Sequence, residues 1–394
     1  MTRTEPPAPD EPEPGDDDGL DDGLDDDEPR DATRGGVNGP ALPVQGGREG
    51  PPWIDAFSLP PGADPTIDWG QRAHLHPDGS PRIIERHLVV PPELAGLRLD
   101  HFVKTQIPRL SRTRIQAIIA GQLRRAGGPA PKPATIVAAG DHFILRRAAQ
   151  PEPPCPRTFG VVIRDPRLYV VDKPAGLPVH ASAKFYFNTL TRVLAERFPD
   201  EPELQICHRL DRETSGCLVV ARDRAAAAAI KDAFATRHRV RKQYLAVVHG
   251  QPPWDDEHTI DLALRVAQPG DPTRLTHVRM LAGPGGLPAI TRVRVERRTA
   301  AHALVRCTLV TGRQHQIRAH LAAAGYPIVG DKLYAHGDDA FLRYCNDGLV
   351  PELARLFVLP RHALHAATVS FPHPDGGTVT AEAPLPADLA GLLA

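Results

Sequence analysis

The acidic character of the first thirty residues is the feature that most limits which part of this chain can fold. These residues include thirteen acidic and two basic side chains, and residues 1–50 have hardly any large apolar ones. Such a segment cannot bury enough apolar surface to offset the entropy lost on folding. We therefore predict a disordered acidic tail over residues 1–50, so any folded core must come from the rest of the chain.

The net charge of -1 hides a strong polarity along the sequence. Residues 1–30 have a net charge of -11, which leaves +10 for the remaining chain. A basic body with an acidic tail is typical of proteins that bind a polyanion, although a solubilising balance of charges would give the same pattern.

The cysteines and the apolar runs limit the class of protein. Five cysteines are scattered along the chain and none forms a C-x-x-C pair, so neither a zinc ribbon nor a disulfide framework is indicated. This usage fits a reducing compartment. No apolar run approaches the length of a membrane span. We expect a cytoplasmic monomer with no membrane partner.

Proline content and apolar spacing divide the rest of the chain into segments. Residues 51–85 remain Pro-rich and predict an extended arm. Residues 86–147 predict a small compact unit, and the Pro-rich stretch at 148–157 predicts a linker. Residues 158–394 are predicted to form a second, larger domain.

The small unit is predicted to contain two short helices and a hairpin. Ser111 is a good N-cap for the second helix, and Arg112 and Arg114 follow in its first turn. Because cations there oppose the helix dipole, we interpret them as placed for a ligand such as a phosphate. "TIVAAGDHFIL" predicts two strands that turn at Gly140–Asp141.

The larger domain is predicted to be rich in strands. "SGCLVVARD" indicates a buried strand, "KQYLAVVHG" alternates as a strand, and "HQIRAHLAAAG" indicates a short helix. Asp223 can cap the Ala-rich helix that follows the first of these strands. The mixture indicates an α+β fold and not alternating βαβ units.

Three polar clusters could carry chemistry. Asp211 lies between Arg209 and Arg212, and neighbouring guanidinium groups favour an ionised carboxylate, although a surface ion-pair loop has the same composition. His315 and Arg318 are three residues apart on the predicted helix and share a face. The H-x-x-x-x-H spacing in the same segment does not match a zinc protease.

The third cluster lies on a predicted strand. Lys242 and Tyr244 are two residues apart and point to the same side. The tyrosine could stack on a base or move a proton, although a core tyrosine is the ordinary interpretation.

Taken together, these blocks resemble a known family. "VVDKPAGLPVH", "HRLDRETSG", "KQYLAVVHG", "TGRQHQIRAHL", "GYPIVGDKLY" and "RHALHAATVSFPHP" follow one another in the order and spacing of the RluA-type RNA pseudouridine synthases. The resemblance covers about residues 161–385. It implies an α+β catalytic domain on a mixed, mainly antiparallel sheet with flanking helices and loops. Residues 86–147 resemble the S-four-type RNA-binding domain that often precedes it.

The resemblance assigns roles to particular residues. Asp211 matches the catalytic aspartate, Tyr244 the active-site tyrosine, Arg318 the arginine that pairs with the aspartate, and Arg209 the arginine that fills the space left by the flipped uridine. Enzymes of this family isomerise uridine in RNA to its C-glycoside. That reaction moves no hydride or phosphoryl group, so the resemblance implies neither a cofactor nor a metal. The expected RNA-binding residues are Arg209, Arg98, Ser111, Arg112, Arg114 and Lys242.

Several alternatives stay open on the sequence. Asp211 could attack the anomeric carbon of the ribose, leading through a glycal, or carbon 6 of the uracil. Val293 stands where the family often has an aromatic residue, which leaves a uracil contact from that strand unsupported.

Ribosomal RNA is favoured over tRNA as the substrate because an appended RNA-binding domain suits a large structured RNA. The rival function is a non-catalytic RNA-binding or ribosome-assembly factor, and a hydrolase using Asp211 and His208 is weaker still.

Overall fold

The computed structural model describes residues 64–394, apart from positions 109, 183 and 238. The predicted acidic tail and residues 51–63 of the predicted arm lie outside the described residues. In the part that is described, no helix is both long and apolar enough to cross a membrane.

The first unit packs two helices on a three-stranded antiparallel sheet. The strands β1 (Ile83–Val89), β2 (Leu123–Arg125) and β3 (His142–Ala148) are arranged in the order β1-β3-β2. The helices are α1 (Leu99–Gln106) and α2 (Arg112–Gly121). The predicted N-cap is confirmed, because the Ser111 hydroxyl accepts the Arg114 N–H at 3.2 Å. The facing sides of the two helices are buried in one core, with Leu97 partly buried against it: Leu99, Phe102, Val103, Ile115, Ile118 and Ile119.

The hairpin predicted around Gly140–Asp141 is only half correct. Its second strand is β3, but the first half makes a single bridge, from Ile136 to Arg98. The Thr135 carbonyl instead accepts the Leu99 N–H at 2.7 Å at the start of α1. The first amides of a helix have no partner within it, and this segment supplies one.

The larger domain is built on a ten-stranded sheet, which confirms the predicted mixed, mainly antiparallel α+β fold. Its central path is β4-β5-β7-β14-β8-β13-β12-β9, with β6 paired to β7 and β15 paired to β14. Its strands are β4 (Gly160–Arg164), β5 (Leu168–Lys173), β6 (Gln205–Ile206), β7 (Ser215–Ala221), β8 (Arg241–His249), β9 (His258–Asp261), β12 (Ile290–Arg298), β13 (His302–Leu309), β14 (Leu364–Pro372) and β15 (Thr378–Glu382). A separate antiparallel pair joins β10 (Leu264–Val266) and β11 (Met280–Ala282).

Short helices flank this sheet. They are α3 (Leu190–Arg197), α4 (Arg224–Thr236), α5 (Gln316–Ala323), α6 (Gly337–Asp347), α7 (Pro351–Phe357) and α8 (Ala387–Gly391). The predicted cap of α4 is confirmed, because the Asp223 carboxylate accepts the Ala226 N–H at 2.8 Å.

The sheet opens beside β7, and this opening positions the site. One edge of β7 pairs with β5 along its length, whereas the other edge meets β14 in parallel only at Ser215 and Gly216 and meets β6 at its far end. Gly216 has a φ of +110°, and a Cβ there would lie 2.3 Å from the Ala366 carbonyl oxygen. Only glycine permits this close approach. The loop between β6 and β7 therefore sits where β7 and β14 diverge.

Candidate active site

The loop between β6 and β7 is held by hydrogen bonds to its own strands. The Cys207 N–H donates to the Val219 carbonyl at 3.0 Å, and the His208 Nε2 accepts the Val219 N–H at 3.0 Å. The Thr214 N–H donates to the Asp211 carbonyl at 3.0 Å and closes the turn. The predicted nucleophile is thus fixed by backbone contacts on both of its sides.

Lys173 supports this loop from behind and was not singled out from the sequence. Its ammonium is fully buried at the end of β5 and donates to the carbonyls of Pro174, Leu177 and Arg212, at 2.8, 2.9 and 3.1 Å. Burial lowers the pKa of Lys173 to about 7, whereas three carbonyl acceptors match the three donors of the protonated form. The side chain ties the loop after β5 to the residue that follows Asp211.

Arg318 joins two carboxylates. Its Nε and Nη2 donate to the two oxygens of the fully buried Asp331, at 2.7 and 2.9 Å, and its Nη1 donates to the Asp211 Oδ2 at 3.0 Å. The N–H groups of Leu333 and Tyr334 donate to the same Asp331 oxygen. The predicted contact between Arg318 and Asp211 is therefore present, and Asp331, which the sequence analysis missed, orients the guanidinium.

The surroundings of Asp211 keep its carboxylate ionised. Burial alone would raise the pKa of Asp211, but His315, Arg318 and His362 outweigh it and lower the pKa to about 2. Burial also lowers the pKa of His315 to about 4 and that of His362 to about 3. Both histidines are therefore neutral at pH 7, and Arg318 supplies the positive charge that Asp211 meets there.

Tyr244 is buried on β8 and lies beside the same carboxylate. Burial, together with the charge of Asp211, raises the pKa of Tyr244 above its usual range. Its hydroxyl therefore keeps its proton at neutral pH. Lys242 lines the same cavity as Tyr244, as the two-residue spacing on the strand predicted.

A second buried ion-pair cluster lies behind Arg212, for which the sequence analysis found no role. Arg212 pairs with Glu213 at 3.1 Å, and the Lys332 ammonium donates to both Glu213 oxygens at 2.9 Å. The His362 N–H also donates to Glu213 at 3.1 Å. This cluster fixes the residues that follow Asp211 to the loop after α5 and to the start of β14.

Two cavities meet at Asp211. The first, of about 730 Å³, also contains Tyr244, Lys242 and Leu364 in its lining, and we call it the Tyr244 chamber. The second, of about 750 Å³, has Phe341 and Tyr344 of α6 in its lining, and we call it the α6 chamber. Both cavities are lined by Arg209, Leu210, Asp211, His315 and Arg318.

Asp211, Tyr244, Arg318, Arg209 and Lys242 are thus brought together, whereas the other predicted RNA-binding residues lie in the first unit. Val293 is buried in the core and is in the lining of neither chamber.

Two of the predicted RNA-binding side chains of the first unit, Arg98 and Arg112, pair with one buried acid. Arg98 donates to both oxygens of Asp100 at 3.0 Å, and Arg112 lies 3.4 Å from Asp100. Ser111, Arg112 and Arg114 are exposed at the start of α2. Part of the basic charge is therefore balanced within the unit, and Arg114 adds to it at the surface.

Across residues 64–394, outside the three undescribed positions, no group of three or more His, Cys, Asp or Glu side chains is arranged to hold a metal ion. The arrangement offers an ionised carboxylate, a protonated phenol and cations at the edge of a cavity.

Comparison with known proteins gives a consistent family. Residues 167–323 match the model of the RNA pseudouridylate synthase family. The chain is 34% identical to the ribosomal large subunit pseudouridine synthase D of Neisseria meningitidis, over 78% of this chain and 80% of the relative. It is also 34% identical to the ribosomal large subunit pseudouridine synthase C of Escherichia coli, over 74% of this chain and 90% of the relative.

Among solved structures, the human RNA Pseudouridylate Synthase Domain Containing 1 is 27% identical, over 58% of this chain and 84% of that chain, with a TM-score of 0.46. The match to the relative extends over more than two thirds of the chain, and the segment that matches the family model spans the positions of all three predicted catalytic residues. The chain therefore belongs to the RluA-type RNA pseudouridine synthase family and is an RNA pseudouridine synthase.

Proposed function

We propose that this enzyme isomerises uridines of large-subunit ribosomal RNA and that Asp211 is its nucleophile. The observation that carries the proposal is the carboxylate of Asp211, which Arg318 holds ionised at 3.0 Å while 28% of its side chain stays exposed at the cavity. The ribosomal substrate is supported by the names of the bacterial relatives.

The reaction breaks the glycosidic N1–C1′ bond, turns the uracil, and joins C5 to C1′. The base loses the proton on C5 and gains one on N1, so the product is an isomer of the substrate. A carboxylate can begin this by adding to C1′ of the ribose or to C6 of the uracil. Both routes need an ionised Asp211 aimed at the nucleoside, and both remain open.

In the C1′ route the ribose loses its 2′ proton on the way to the glycal and regains one when C5 bonds to C1′. Tyr244 would move this proton. Its raised pKa opposes removal of its proton while Asp211 is charged. Formation of an ester at Asp211 would remove that charge and so part of the rise in the pKa of Tyr244, while burial, the larger cause, would remain.

Arg209 and Lys242 would hold the RNA around the displaced uridine. Extruding a nucleotide from its stack costs a few kcal/mol. Arg209 is exposed on the loop that carries Asp211 and is in the lining of both chambers. It is placed to fill the space that the uridine leaves, while Lys242 offers a cation beside Tyr244.

Residues 86–147 would add an RNA contact of the S-four type. Arg98, Ser111, Arg112 and Arg114 would meet phosphate groups at the start of α2. Replacing Arg112 and Arg114 together with glutamine should weaken RNA binding and flatten its dependence on salt, because fewer counterions would be released. A salt titration of the affinity measures this, and an unchanged slope would argue against the contact.

The proposal also takes the enzyme to be a cytoplasmic monomer, with tRNA as a second possible class of substrate. Light scattering on the purified chain tests the oligomeric state, and mapping of pseudouridine in total RNA tests both classes of RNA together.

The decisive experiment replaces Asp211 with asparagine, which keeps the shape of the side chain and removes its charge. In a strain that lacks the gene, wild-type protein should restore pseudouridine at one or a few positions of ribosomal RNA, and Asp211→Asn should restore none. Asp256→Asn, on an exposed aspartate, is the matched control. Arg318 would still hold Asp331, so we expect the variant to fold.

Two outcomes would contradict the proposal. If deletion removes no pseudouridine from ribosomal RNA, the substrate is wrong. If Asp211→Asn restores the modification as well as wild type does, Asp211 is not the nucleophile. Rescue of growth by Asp211→Asn, without rescue of the modification, would instead favour a role in ribosome assembly.

A further inference from the structure

The α6 chamber is a second cavity beside Asp211, and the catalytic chemistry described above does not use it. Its volume is about 750 Å³, against about 730 Å³ for the Tyr244 chamber. Cavities that hold drug-sized ligands measure about 300–1,000 Å³. The two chambers share eight lining residues around Asp211 and are the two ends of one cleft, so a displaced uridine in the Tyr244 chamber leaves the α6 end unfilled.

An aromatic wall closes one side of the α6 chamber. Phe341 and Tyr344 are three residues apart on α6 and share a face of the helix, and both are half-buried. The Tyr344 ring already has the Lys332 ammonium at 5.2 Å and the Phe357 ring at 6.0 Å. Phe341 packs in part against the cluster that contains Leu333 and is also in the lining of the cavity.

The wall is fixed in place by one carboxylate at the start of α6. Asp338 accepts the Thr273 hydroxyl at 2.7 Å, the Arg274 N–H at 2.6 Å and the Arg279 guanidinium at 3.0 Å. These contacts tie α6 to the loop that contributes Val278 to the same cavity. The chamber is therefore formed before any ligand binds.

The charges at the mouth favour a phosphate between the two chambers. Arg209 and Lys231 are exposed, and both line both cavities. Asp211 and Glu213 also line the α6 chamber, but Arg318 pairs with the first and Lys332 with the second. A phosphodiester that joins two nucleotides, one in each chamber, would meet two cations.

We propose that the α6 chamber binds the base of the nucleotide next to the target uridine, stacked on Phe341. This inference rests on the proposed function, with the uridine in the Tyr244 chamber. Aromatic stacking accepts any base, so the chamber would contribute affinity at that position without strict sequence preference. The match to the family model ends at residue 323, before α6 begins.

The test measures binding separately from turnover. Asp211→Asn protein is bound to an RNA hairpin taken from the segment of ribosomal RNA that it protects from nuclease. One neighbour of the protected uridine is replaced with the fluorescent purine 2-aminopurine, whose emission falls when it stacks. Phe341→Leu, added to Asp211→Asn, keeps apolar volume and removes the ring, and Phe341→Tyr keeps the ring.

We expect Phe341→Leu to weaken binding about 5- to 150-fold, because base–aromatic stacking contributes about 1–3 kcal/mol. It should also abolish the fall in emission, whereas Phe341→Tyr should preserve both. An abasic neighbour should weaken binding to the Asp211→Asn protein and have little further effect once Phe341 is leucine. Circular dichroism checks that each variant is folded.

The inference is overturned if Phe341→Leu binds the hairpin with unchanged affinity and an unchanged emission. It is also overturned if the abasic neighbour weakens binding equally with and without the ring. Failure of the proposed function has a different signature, because wild-type protein would then bind the hairpin and form no pseudouridine.

Discussion

Arg318 makes three hydrogen bonds to two carboxylates, which a lysine cannot reproduce. The planar guanidinium reaches both oxygens of Asp331 and one oxygen of Asp211 at the same time. The charge of Arg318 keeps Asp211 ionised, and the geometry aims it. These two contributions can be separated by a substitution that keeps the charge.

We predict that Arg318→Lys lowers kcat/KM about 10- to 150-fold, because a hydrogen bond to a charged group contributes about 1.5–3 kcal/mol. Steady-state kinetics on the mapped RNA measures this. Arg297→Lys, on the exposed surface of β12, is the control. Wild-type kcat/KM in Arg318→Lys would mean that charge alone suffices at this position.

His362 is a buried neutral histidine, and this has a consequence for stability. Its Nε2 lies 2.8 Å from the Thr214 hydroxyl, and burial lowers its pKa to about 3. An unfolded histidine has a pKa of about 6.5. Between these values the unfolded chain holds one more proton than the folded chain, so stability falls as the pH falls through this window.

The unfolding free energy of the wild-type protein falls as the pH is lowered. We predict that His362→Gln reduces this slope by roughly 1 kcal/mol per pH unit between about pH 4 and pH 6. Glutamine keeps a polar partner for Thr214 and cannot take up a proton. Urea unfolding at several pH values measures the slope, with the exposed His76→Gln as the control. Equal slopes in wild type and His362→Gln would contradict the prediction.

Gly216 is the contact on which the strand arrangement at the site depends. Gly216 and Gly270 have similar positive φ angles, +110° and +100°, but a Cβ at Gly270 would meet nothing within 4 Å. Alanine at position 270 therefore tests the backbone strain alone, whereas alanine at position 216 adds a collision with β14.

We predict that Gly270→Ala costs about 1–2 kcal/mol of unfolding free energy, from the positive φ alone. Gly216→Ala should cost at least a further 1–3 kcal/mol, because β14 has to move away from β7. Denaturant unfolding of both variants gives the difference. An equal loss of unfolding free energy in the two variants would show that a Cβ at position 216 causes no collision with Ala366.

The sequence predicts elements well where their signals are local. The cap of α4 at Asp223 and the buried strand β7 follow from residues that lie next to each other, and both are confirmed. Contacts between distant elements cannot be predicted in this way, because the position of an acidic residue in the sequence does not identify the basic residue that pairs with it. The contact between Asp211 and Arg318 was predicted only through the resemblance to a family.

The contacts that the sequence analysis missed are of the same long-range kind. Lys332 and Glu213 are 119 residues apart. Arg361, at the start of β14, donates to both oxygens of Asp388 in α8, at 2.7 and 2.8 Å. A buried ionisable group needs hydrogen-bond partners, so Lys173 at the end of an apolar strand was a signal that polar groups from other segments meet there.

The predicted linker is a buried joint between the two units. Residues 152–157 are largely buried, and the Glu152 carboxylate accepts the backbone N–H groups of Tyr186, Phe187 and Asn188, at 2.8–3.0 Å. Arg157 donates to Asp68 of the arm at 3.1 Å. The arm, the joint and the larger domain are thereby fastened together.

We predict that Glu152→Gln loosens this joint, with a loss of about 1.5–3 kcal/mol at each well-made bond to the charged group. Hydrogen exchange at the amides of residues 186–188 should become faster. Glu203→Gln, which affects an exposed ion pair with Arg224 at 3.4 Å, is the control. Unchanged exchange at these amides would mean that the carboxylate does not hold the joint.

Ile84 of β1 shares a buried apolar cluster with Phe187 of the larger domain, so the joint would hold the start of α2 at a set distance from Asp211. Two linked contacts reinforce each other only when one ligand can reach both at once. An RNA whose fold presents a backbone segment and a uridine at that separation would gain from both contacts, and an RNA of another shape would gain from one. The joint between the units would then select the architecture of the RNA, while the chambers beside Asp211 receive only the nucleotides that the architecture delivers.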